Sequence, residues 1–142
     1  MSQGCGLAAS GAVRCPTAEI RGLRSELAGW PDPAAGAGVK LADEQAVLGM
    51  VAVLRAADAA GWRGRSFADW GVIAAPRFLG RCRGAQALAR YSNQGPRSVS
   101  PLVIPSLSLH SVAGCVSLGL HAHGPNFGVG GGPGHVSEGL TA

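Results

Sequence analysis

From Ser100 onward the chain reads SPLVIPSLSLHSVAGCVSLGLHAHGPNFGVGGGPGHVSEGLTA, and this stretch narrows the choice of fold more than any other. Pro105 and Ser106 suit the first turn of a helix. Val112, Cys115, Val116 and Leu120 then recur on one face, while Ala113 and Gly114 let a neighbour come close. The spacing predicts a helix over about 105–120. HAHGPN turns the chain, Phe127–Val129 reads as a buried strand, and Gly130–Gly134 as a bend. Val136, Gly139 and Leu140 begin a further helix. A strand that passes through a glycine bend into a helix belongs to α/β architecture, where such a bend is the usual seat of a nucleophile or a phosphate.

The upstream sequence agrees with one α/β domain over residues 1–142, the size expected for a single core. Apolar residues make up 46% and charged residues 14%, which excludes disorder by composition, and the 23 glycines imply tight turns or close backbone approaches. Residues 1–15 read as loop. Pro16 opens a helix in which Ile20, Leu23 and Leu27 share a face, with Gly29 and Pro31 ending it. A second helix is predicted over about 41–60, with Val47, Leu48, Val51 and Leu54 as its stripe, small residues at Ala46, Ala52 and Ala57, and Gly61 as its stop. Residues 70–75 are apolar without alternation, which suits a strand covered on both faces and ended by Pro76. Residues 79–91 form a helical pattern, and 92–101 a loop.

Several chemistries fail on spacing. GxGxxG is not met, because the sixth position counted from Gly128 is Pro133 and from Gly130 is His135; no Gly-Lys-Ser/Thr follows. A nucleophile elbow around Ser137 needs a glycine where His135 stands. His110, His121, His123 and His135 have no Asp, Glu or Cys at a metal-ligand spacing, so no metal is expected. Cys5, Cys15, Cys82 and Cys115 fit no CxxC pattern and sit among small apolar residues, as reduced structural cysteines do. The net charge of +4 is carried by arginines, including Arg63, Arg65, Arg77, Arg81, Arg83, Arg90 and Arg97. With few aromatics between them to stack on bases, they form a solvated face, and no nucleic acid is expected as partner. No basic and apolar leader opens the chain and no run reaches membrane-span length, so the expectation is a cytoplasmic protein with no membrane contact.

The order of short motifs resembles that of the β-ketoacyl-acyl carrier protein synthases (ketosynthases), which have the thiolase-like fold. The residues that carry the resemblance are Ser100-Pro101, Val103-Ile104, Pro105-Ser106, Val112-Ala113-Gly114 and Gly124-Pro125. Upstream, Gly71-Val-Ile-Ala is similar to the family's strand before a glycine turn, and Gly95-Pro96-Arg97 to the loop before Ser-Pro. The helix near 41–60 resembles the family's long helix. Gly4-Cys-Gly-Leu and Leu27-Ala28-Gly29 resemble the end of its first strand and of the helix after it. The likeness covers most of the chain but only the N-terminal half of a synthase. It implies a partial thiolase-like fold, a short mixed sheet flanked by helices.

What the resemblance implies about activity is limited by its departures. The family's nucleophilic cysteine, which carries the acyl group as a thioester in fatty-acid and polyketide elongation, falls at Pro133. Proline has no nucleophile and no N–H for an oxyanion. The decarboxylation histidines belong to the C-terminal half, and none of the four histidines here takes their place. Ala75-Pro-Arg-Phe78 replaces the glycine turn and reshapes the acyl pocket. The expectation is therefore a ketosynthase relative without condensing activity, with no catalytic residue and no cofactor. Phe78, His110, Gly132 and Gly134 are its acyl-pocket candidates. Asn126, Phe127, Gly128, Val129 and Gly130 are its dimer-interface candidates, since family members pair through this strand. The implied partners are an acyl carrier protein and either a second copy or a ketosynthase. A non-catalytic subunit of the chain-length-factor type, a truncated gene product without independent function and an unrelated small binding protein are the alternatives.

Overall fold

The computed structural model describes residues 9–16, 19–28, 42–76, 80–130, 134 and 137. Helix α1 (Ile20–Ala28) packs on α2 (Glu44–Ala59); strand β1 (Val72–Ala74) follows, then α3 (Arg81–Gln94), a 3-10 turn (Pro96–Ser98), the short α4 (Val103–Ser106), α5 (Ser111–Leu120) and strand β2 (Asn126–Gly128). The two strands pair in parallel, with Val72 opposite Asn126, Ile73 opposite Phe127 and Ala74 opposite Gly128. The protein is thus mixed α/β, and the sheet among the described residues is a parallel pair.

α2 is the axis of the core, and its sequence explains why. Ala46, Val47, Met50, Val51, Leu54 and Ala57 are buried along it at three- and four-residue steps. Ile20 and Leu27 of α1 meet this stripe from one side, and Val112, Cys115 and Val116 of α5 from the other. The side chain of Asp43 accepts the Ala46 N–H at 2.8 Å and so caps the first turn. At the far end the Trp62 N–H reaches the Ala57 carbonyl at 2.8 Å and the Gly61 N–H reaches Asp58 at 3.0 Å. This is a Schellman closure, and it requires the left-handed φ of +69° that Gly61 adopts. Arg55 makes a bidentate bond to Glu26 across α1 and α2 at 2.9 Å, with both side chains nearly half exposed, so the pair fixes register more than it adds stability.

Three expectations are corrected. The helix predicted over about 105–120 is two helices with a break at 107–110. Leu109 causes the break: Gly128 packs directly on its carbonyl and Gly130 on its side chain. A continuous helix would drive that turn into β2, and Ser108 instead closes a local bend by accepting the His110 N–H at 3.2 Å. Next, the strands are not covered on both faces. Val72 and Ala74 face the helices, but Ile73 and Phe127 are 49% and 51% exposed on the outer face. Finally, the segment read as loop over 92–101 begins inside α3 and contains the 3-10 turn. Of the helix start expected at 136–140 only Ser137 is described, and the loop at 31–38 lies outside the described residues.

Candidate functional site

The parallel ladder brings β2 beside β1 with Val72 N–H donating to Pro125 and Val129 N–H to Ala74, both at 2.8 Å. Two close approaches make this possible. A side chain at Gly71 would meet the Pro125 carbonyl at 2.9 Å, and one at Gly124 would meet the Trp70 carbonyl at 2.6 Å. α5 ends at His121, whose left-handed φ of +52° turns the chain back. The Ala122 N–H then closes on Ser117 at 2.9 Å, and the Ser117 hydroxyl donates to the Ala122 carbonyl at 2.7 Å. The chain therefore leaves α5 already aimed along β1. Below this ladder, Asn126 donates to the Ala113 carbonyl at 3.4 Å, while its own side-chain oxygen is buried with no partner among the described residues.

A cavity of about 310 Å³ opens between the start of α2 and residues 105–111, which flank and include the break. Asp43, Ser106, Ser108, His110, Ser111 and Cys115 supply its polar groups, and Ala46 and Leu118 are among its apolar ones. Asp43 and Ser106 are buried, and the Ser111 hydroxyl is buried with no partner among the described residues. Burial pushes the Cys115 thiol up to about 11, and the Asp43 carboxylate pushes in the same direction against the weaker opposing pull of Arg24. At neutral pH this cysteine is a protonated thiol and has no thiolate to attack with. The cavity can hold a small, mostly apolar group and offer it a hydroxyl or carboxylate at one end. Its cysteine supplies no thiolate at neutral pH.

Of the acyl-pocket candidates, His110 lines this cavity. Its ring stands over Gly114, where a side chain would meet it at 3.3 Å. Gly134 is exposed with φ of +102°, and its carbonyl accepts the Ser137 hydroxyl at 2.7 Å. Phe78, Gly132 and Pro133 lie outside the described residues. The dimer-interface candidates Asn126–Gly130 are brought together as β2 and its continuation. Among the described residues no cluster of three or more His, Cys, Asp or Glu can hold a metal, and no helix is long and apolar enough to cross a membrane.

Sequence reasoning missed Asp43, Ser106, Ser108 and Ser111. Asp43 had a readable signal, an Asp just ahead of a periodic apolar run. The serines had none, because they converge only through the break in the helix. No family model, no curated protein and no solved structure matches the chain.

Proposed function

We propose that the chain is a ketosynthase-like protein with a partial thiolase-like fold that does not itself catalyse condensation and works as the non-catalytic member of a pair. The observation that carries this reading is the parallel pairing of β1 with β2, with α5 packed beneath. It brings Gly71-Val-Ile-Ala and Gly124-Pro-Asn-Phe, far apart in sequence, to neighbouring places in one sheet. The resemblance implies that these two segments are strands, one before a glycine turn and the other before the active-site bend. Pro133, at the position of the family's cysteine, supplies no nucleophile, and Cys115 is held protonated in the core.

The outer face of the sheet supports the pairing. Ile73 and Phe127 sit side by side there, half exposed, and among the described residues β2 has β1 as its one strand neighbour. An open strand edge beside an apolar face favours a protein partner. The partner proposed is a second copy or an intact ketosynthase, joined along Asn126–Gly130, with an acyl carrier protein as the docking substrate carrier.

The test is light scattering on the purified chain, alone and co-expressed with an intact ketosynthase, followed by incubation with a radiolabelled acyl thioester. The expected result is a defined dimer in at least one setting, with label confined to the synthase. A monomer in both settings overturns the pairing. Stable label on this chain overturns the absence of catalysis.

A further inference from the structure

Charge is unevenly distributed along the sequence. Residues 1–69 carry seven basic and seven acidic side chains, whereas residues 70–137 contain no Asp or Glu and include Arg77, Arg81, Arg83, Arg90 and Arg97. The whole net charge therefore belongs to the second half of the chain. Part of it is displayed on α3, which has no acidic residue anywhere in its length.

Arg83, Gln86, Ala87 and Arg90 stand at i, i+3, i+4 and i+7, so they form a single stripe on α3. That stripe faces residues 99–103 across a cleft of about 300 Å³ lined by Arg83, Gln86, Arg90, Ser100, Leu102 and Val103. One wall is cationic and amide, and the other is apolar with a hydroxyl. Arg83 is held in place at its guanidinium head, Nη1 donating to the Ser106 hydroxyl and Nη2 to the Ala42 carbonyl, each at 3.3 Å and each leaving further N–H groups on the head. Both acceptors are neutral, so the bonds orient the guanidinium without cancelling its charge. The Ser98 hydroxyl donates to the Arg90 carbonyl at 3.1 Å and ties the 3-10 turn to the end of the same stripe. The cleft is thus built of cations, amide and hydroxyl against hydrocarbon, and its lining includes no carboxylate.

We infer that this cleft binds a small amphiphilic anion, its carboxylate or phosphate head on Arg83 and Arg90 and a short hydrocarbon body on Leu102 and Val103. Its volume suits a small molecule. Charge-assisted bonds from guanidinium to an oxyanion supply the orientation, and the apolar wall supplies the affinity for the body. The inference stands on the cleft and on the charge distribution, independently of the functional reading above.

The test is an NMR titration of the full chain, following backbone amides of α3 and residues 99–103. Four probes are used: octanoate, octyl phosphate, octan-1-ol as the uncharged body, and inorganic phosphate as the head alone. The expected result is saturable shifts at these amides with octanoate or octyl phosphate, whichever head is preferred. Binding should be at least about tenfold tighter than for octan-1-ol or phosphate, from the charge-assisted bonds. Arg90→Gln, an exposed change that leaves the core alone, should weaken binding by about tenfold, and Arg90→Lys, which keeps a point charge for the oxyanion, should weaken it less. Shifts that do not saturate, that centre on Ile73 and Phe127, that are as strong with octan-1-ol, or that survive Arg90→Gln unchanged overturn the proposal.

Discussion

Cys115 shows how one buried atom sets a condition on the whole protein. Its thiol titrates near 9.0 when free and about 11 in the folded chain. Below pH 9 both states hold the proton and the group contributes no pH dependence. As pH rises from 9 to 11, the unfolded chain ionises first, so stability falls with pH across that window and levels off above it. A two-unit gap corresponds to about 2–3 kcal/mol. Denaturant unfolding at pH 8 and pH 11 should show a loss of that order in the wild type. In Cys115→Ala, which starts less stable because of the cavity, that share of the slope should be missing. Equal slopes in the two proteins would contradict the burial described for Cys115.

At the scale of elements, glycines separate into those the backbone needs and those it does not. Gly128 lies directly against the Leu109 carbonyl, so Gly128→Ala must move backbone and should cost about 1–3 kcal/mol. Gly22 is inside α1 with open space around it, so Gly22→Ala should add about 0.5–1 kcal/mol. Melting curves of the two variants should move in opposite directions, and a common direction would rule out this placement of β2.

The same contact explains what sequence could and could not reveal. α1 and α2 were legible because Ile20, Leu27, Val47, Val51 and Leu54 announce their face locally, and Gly61 announces the stop. The break at 107–110 was not legible. LSLH contains neither Gly nor Pro, and the helix is interrupted by residues of β2 well beyond it in sequence. The cavity's serines were hidden for the same reason. Strand burial was over-read because an apolar run such as Gly71–Ala75 states that a residue prefers cover, and says nothing about whether a second layer is present to give it. The α/β class, the α2 core and the existence of both strands were readable. Site geometry depended on long-range packing.

For the molecule as a whole, one face of the sheet is finished and the other is open. Helices cover Val72 and Ala74, while Ile73 and Phe127 stand half exposed on the opposite side. If the proposed pairing uses that face, Phe127→Ser should convert the dimer to a monomer in light scattering. The monomer's own stability should shift by no more than about 1 kcal/mol, since the side chain supports little of the internal core. A dimer that survives the change would place the interface elsewhere.

The parallel pairing also has a consequence for the order in which the chain is made. β1 finds its partner only when residues 126–128 are available, about fifty residues later. At ribosomal speeds of roughly 5–20 residues per second, β1 waits several seconds with its edge bare. The α1–α2 hairpin is complete before that interval begins and needs nothing downstream to start forming. During synthesis this protein is therefore a helical hairpin trailing an unpaired apolar strand, and it is in that window that a chaperone would find most to hold.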